Sequence, residues 1–143
     1  MKHTISLLMV FLFAASFFCF ADPSPAEKKH PIDVIVEKMM DQDSSTAGMI
    51  QALAKGCELW DKELNKQYSI LVKLLANDKE AIQELKESQN LWLKHRDAEK
   101  KLIASIYGKK EGTMYRPMAV EAEMELIKQR TIQITNRVLT IQD

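Results

Sequence analysis

The chain lacks an excess of either charge, a pair of cysteines that could survive export, and any catalytic signature. Its 143 residues carry 20 Lys and Arg against 20 Asp and Glu. Without a polycationic face, neither nucleic acid nor an anionic membrane surface is expected as a partner. His95 has no second histidine or cysteine at ligand spacing, so no metal site and no cofactor are expected. No internal repeat, no low-complexity tract and no strand signal is found beyond residues 1–21, and no catalytic motif stands out. The chain is therefore not expected to be an enzyme.

What is present begins with an export signal. Lys2 and His3 precede an apolar run from Ile5 to Phe13, followed by Ala14, Ala15, Ser16 and the aromatic-rich Phe17 to Phe20. This is the order of a cleavable signal peptide over residues 1–21. Cleavage after Ala21 places two small residues, Cys19 and Ala21, at the recognition positions. The run is too short to span a membrane, and the bulky Phe17 and Phe18 argue against lipidation at Cys19. The mature chain then has 122 residues, one net negative charge and a single cysteine, Cys57, which has no partner for an internal disulfide. Cys57 falls on an apolar stripe and is expected to be buried, with an intermolecular bridge as the alternative. A periplasmic or secreted location follows, with no membrane insertion after cleavage.

Residues 22–31, rich in proline and charge, read as a flexible leader, and residues 32–143 as one helical domain. Ile32 to Met40 can form a short helix. From Ser45 or Thr46 to about Asn77, a stripe at Ile50, Leu53, Cys57, Trp60, Leu64, Leu71 and Leu74 keeps helical spacing, interrupted at Gln67. A second long helix from about Asp78 carries Ile82, Leu85, Gln89, Trp92, Arg96, Glu99, Ile103 and Ile106, with Gly108 as a left-handed cap. Thr113 can cap a third, in which Pro117 lies in the first turn and the seam is Val120, Met124, Ile127, Thr131, Ile134, Val138 and Ile141. The fold class is all-α: an up-down-up three-helix bundle of long helices with a short N-terminal helix.

The seam of the second long helix is polar at its middle, through Gln89, Arg96 and Glu99. The first brings Asp61, Asn65, Gln67 and Tyr68 to its own middle. Antiparallel pairing sets these two stretches level. A buried Arg96 requires a charged partner, for which Asp61 or Glu99 is expected. Such a polar waist can fix helix register, as buried polar residues do in coiled coils, or form a site for a ligand or partner. Catalysis by Asp61 and Glu99 is a third reading, which a narrow bundle disfavours for want of a cleft. The turn at Lys109 and Lys110 is a second candidate contact, since a protruding basic loop can enter a cleft lined by carboxylates.

Several stretches in order have a familiar pattern: Ser45 to Met49, Trp60 to Tyr68, Gln89 to Trp92 with Arg96 to Glu99, Gly112 to Tyr115, and Gln129-Arg130-Thr131. Together they resemble the lysozyme inhibitor LprI-like family over nearly all of the mature chain. The resemblance implies an exported helical protein of bacterial envelopes whose partner is a protein such as a lysozyme. Its matching residues, Trp60, Asp61, Asn65, Tyr68, Gln89, Trp92, Arg96 and Asp97, largely coincide with the polar waist. Members often carry paired cysteines near the positions of Met39, Met40 and Ala52; this chain has none there, so the resemblance implies a looser first helix.

The expected function is an exported binding protein that inhibits a muramidase, with the alternative of a structural or adaptor protein of the envelope. The candidate binding residues are Asp61, Asn65, Tyr68, Gln89, Trp92, Arg96, Asp97, Lys109 and Lys110. If Arg96 is buried, Arg96→Ala should cost about 3–5 kcal/mol in a denaturant titration.

Overall fold

The computed structural model describes residues 29–143. The signal segment, Cys19 and all but the end of the leader lie outside the described residues. Four α-helices account for almost everything described: α1 (Pro31–Gln42), α2 (Thr46–Leu74), α3 (Lys79–Tyr107) and α4 (Tyr115–Gln142).

Local chemistry explains where three of the helices begin. The His30 Nδ1 accepts the Ile32 amide at 3.2 Å and Pro31 opens α1, so the helix takes in the last residue of the leader segment. Ser45 caps α2 by accepting the Gly48 amide at 3.0 Å, and Asp78 caps α3 by accepting that of Ala81 at 2.9 Å. The fourth start differs from expectation. Thr113 does not cap α4; Met114 precedes it, with no side-chain cap at all. Gly108 is not left-handed either, with φ −66° and ψ −17°; the reversal instead falls on Gly112, at φ 109°. A glycine is needed there because a Cβ is strained at that φ.

The three long helices do not share their contacts evenly. α4 runs parallel to α2 and packs along it, while α3 runs antiparallel and leans on α4; α2 and α3 share no continuous seam. One core cluster joins Ile32 and Val36 of α1 to Ala52, Leu53 and Trp60 of α2 and Met124 of α4. The other joins Leu64 and Leu71 to Leu85 of α3 and to Ile134 and Val138 of α4. The expected seams of α2 and α4 are thus confirmed in their middles, whereas that of α3 is buried only at Leu85 and Ile103. Their last members, Leu74, Ile106 and Ile141, are exposed where the helices outrun their neighbours.

Trp60 lies between the clusters and is 1% exposed. The Thr131 hydroxyl stands 3.3 Å from the Trp60 carbonyl oxygen and 2.9 Å from that of Ile127. The His30 ring lies 4.4 Å from the Trp60 ring, and the Lys128 ammonium sits 5.6 Å from its centroid. The same ammonium pairs with Asp33 at 2.8 Å, both partners being largely buried. So α1, expected to be loose without a disulfide, is fastened by two buried aliphatic side chains, a ring contact and an ion pair. The Trp60 indole N–H is buried without an acceptor among the described residues, at a cost of about 1–3 kcal/mol.

Close approach at this junction depends on Gly56. A Cβ there would run into Met124 Sδ and lie 2.8 Å from Val36 Cγ2. Methionine can bend away, but the short branched valine on α1 cannot. Gly56→Val should therefore destabilise the protein by about 1–3 kcal/mol in a urea titration, although glycine is a poor helix former.

Candidate functional site

Because α2 and α3 do not close on each other, an open groove of about 400 Å³ runs between their middles. Its lining includes Asp61, Asn65 and Tyr68 from α2 and Gln89 and Trp92 from α3. Five of the nine candidate binding residues therefore meet around one concavity, whereas Gln67 and Glu99 of the expected waist do not line it. Asp61 and Asn65 lie one turn apart on α2, and the Asn65 Nδ2 donates to the Asp61 carbonyl at 2.9 Å and to its Oδ2 at 3.1 Å. Asp61 is thus satisfied on its own helix.

The pairing expected of Arg96 with Asp61 or Glu99 does not form. Its side chain is 26% exposed and bonds to the neighbouring Asp97, with Nη2 at 3.1 Å and Nε at 3.3 Å from Oδ1. Its guanidinium lies 5.4 Å from the Trp92 ring, at the edge of the seam rather than within it. Neither Arg96 nor Asp97 lines the groove.

The buried arginine is instead Arg130 of α4, 5% exposed. Its Nε donates to Gln89 Oε1 at 3.0 Å, Nη2 to Ser88 Oγ at 3.1 Å and Nη1 to Gln133 Oε1 at 3.4 Å, and its guanidinium lies 5.8 Å from the Trp92 ring. Burial, followed by the charge of Arg137, pulls its pKa below the ordinary arginine range, against the opposing influence of Tyr68. Sequence reasoning placed Arg130 only in the stretch Gln129-Arg130-Thr131, beside the seam. A helix packed on both α2 and α3 buries a wider arc than one seam describes, and Arg130 lies in that arc.

Lys109 and Lys110 lie about 30 Å further along α3, at one end of the protein. Both are exposed in the turn, where the Lys110 amide donates to the Tyr107 carbonyl at 3.1 Å. Beside them a groove of about 590 Å³ is lined by Tyr107, Lys110, Tyr115 and Arg116 among others. Cys57 is half-buried against the first cluster, its Sγ 3.9 Å from the Val120 carbonyl oxygen. Burial, then Glu123, pushes its pKa up and Lys100 opposes, so it stays a protonated, weakly reactive thiol at neutral pH. His95 is exposed. Among the described residues no group of three or more His, Cys, Asp or Glu could hold a metal ion, and no helix is long and apolar enough to cross a membrane.

Fold and site together define a small all-α protein that presents an open polar groove at its waist and a basic turn at one end. It belongs to the lysozyme inhibitor LprI family, whose model matches residues 37–134. It is also similar to the crystal structure of an uncharacterized protein from Burkholderia thailandensis, with a TM-score of 0.73 and 27% identity over 80% of this chain. The chain spans 56% of the length of that protein. No curated protein matches the chain significantly.

The pairing of Arg96 with the exposed Asp97 alters the expectation for Arg96. In a denaturant titration Arg96→Ala should cost less than about 1 kcal/mol, the range of exposed ion pairs, rather than that of a buried charge.

Proposed function

We propose that this protein is exported and binds a lysozyme-type muramidase, inhibiting it by presenting the α3–α4 turn to the enzyme's cleft. Family membership supports the inhibitory class. The charge of the turn favours it over the waist as the contact. Glycosidases of this kind work with a pair of carboxylates flanking the scissile bond, inside a cleft. A complementary inhibitor must be positive there. Lys109 and Lys110 are exposed in a turn at the end of the protein, with Arg116 close by, whereas the waist groove carries Asp61 as well as Lys86. The two lysines supply attraction and orientation; affinity must come mainly from apolar anchors nearby, for which exposed Met114 and half-buried Tyr115 are placed.

Export in this reading rests on residues 1–21 acting as a cleaved signal, which releases a non-lipidated protein to the periplasm or the medium. Binding without chemistry is the role assigned to it. The second reading, an envelope adaptor, draws on Leu91, Leu102 and Ile106, three apolar side chains exposed along α3; an adaptor would use that face and leave lysozymes unaffected.

Lysis of cell-wall suspensions tests the reading. The mature protein should slow one or more lysozymes, less so at raised salt. Replacing Lys109 and Lys110 together by Glu should weaken inhibition at least tenfold, about 1.4 kcal/mol, with an unchanged helical spectrum. Full lysis by several lysozymes at large molar excess of the protein would refute inhibition. Undiminished inhibition by the double variant would refute the turn as the contact.

A further inference from the structure

Arg130 presents an energetic problem that the fold does not resolve. A guanidinium has five N–H donors and stays charged in proteins. Three of its donors go to neutral acceptors, on Ser88, Gln89 and Gln133. No carboxylate lies within ion-pair distance of it among the described residues. The charges around it are of the wrong sign, since Arg137 is close enough to disfavour its cationic form and Arg96 shares the Trp92 ring. Burying a cation without a counter-charge carries a large desolvation cost, and a neutral side chain could bridge α4 to α3 without it.

The arrangement around Arg130 suggests what the charge is for. Gln89 and Trp92, both in contact with it, also line the waist groove, and Tyr68 lines the opposite wall. Gln89 therefore stands between the groove and the guanidinium, with a neutral amide oxygen in the place an anionic oxygen would take.

We propose that the waist groove is a binding site for a peptide carboxylate, which displaces the Gln89 amide oxygen and pairs with Arg130. Tyr68 and Trp92 form apolar walls for the residue bearing the carboxylate, and the Asn65 and Asn90 amides can bond to its peptide groups. Asp61 at the groove, offset by Lys86, favours a singly charged carboxylate over a doubly charged phosphate. The carboxylate can be a chain terminus or an acidic side chain, since both offer the same two oxygens to a guanidinium fork. This site is independent of the basic turn and of lysozyme inhibition.

The chain has only two tryptophans, so two indole N–H signals in a 15N spectrum report the site: Trp92 at the groove and Trp60 as an internal reference in the core. Three probes separate the sources: N-acetylalanine for a chain terminus, N-acetylglutamic acid α-amide for an acidic side chain, and N-acetylalaninamide as the neutral control. At least one acid should shift the Trp92 signal saturably, leaving Trp60 and the control response flat. Arg130→Met should weaken that binding about ten- to hundredfold.

Gln89→Glu keeps the test decisive if the arginine variant folds poorly. By supplying the carboxylate from within the chain, it should raise the thermal midpoint and block the acidic probes. No saturable shift with either acid, an equal response to the neutral amide, or full binding by Gln89→Glu would each overturn the proposal. A response to inorganic sulfate with none to the acids would overturn it as well.

Discussion

The fold depends on the parallel seam between α2 and α4, at whose centre Trp60 is closed in from every side. The Thr131 hydroxyl reaches its carbonyl, Lys128 lies over its ring, and His30 covers it from the start of α1. One indole thus sets the spacing of α2 to α4 and forms the surface on which α1 docks. Below it, Leu64, Leu71, Ile134 and Val138 carry the seam to the far end. Cys57 is free and no covalent staple lies among the described residues, so cohesion there comes from this apolar contact.

α3 is held differently. Its only buried side chains are Leu85 and Ile103, near its two ends. Between them Trp92 packs against the second cluster, and the links to α4 are otherwise mainly polar: Arg130 to Ser88 and Gln89, and Lys100 to Glu123 at 2.9 Å. Polar links hold two backbones near each other without demanding that they close, so α3 stands off α2 and the groove stays open. The same weakness that makes α3 the least anchored of the long helices gives the protein its concave surface.

Much of this was legible in the sequence because the signals were local. Ser45 and Asp78 marked helix starts, the three-four spacing of Leu53, Trp60, Leu64 and Leu71 marked one face, and the level polar middles marked the residues now found around the groove. What escaped notice was not local. Arg96 lies on the seam by spacing, but a long side chain lets its charge leave the seam for Asp97. Arg130 is one residue off the α4 seam and becomes buried because α4 faces two neighbours at once, which periodicity along a single helix cannot reveal. Gly56 gave no signal within its helix either, since the atoms that need its missing side chain, on Val36 and Met124, come from α1 and α4. At the last turn, Thr113 lies one residue before the cap position taken by Met114, and Gly108 precedes the reversal at Gly112 instead of making it.

The unequal attachment of the helices can be read directly by native-state hydrogen exchange of the backbone amides. If the α2–α4 seam carries the fold, amides around Trp60 to Leu71 and Thr131 to Val138 exchange slowest, through global unfolding, and those in the middle of α3 exchange faster through a partial opening of lower free energy. Protection of α3 equal to that of α2 and α4 would contradict this account, because it would mean that all three long helices share one cooperative core.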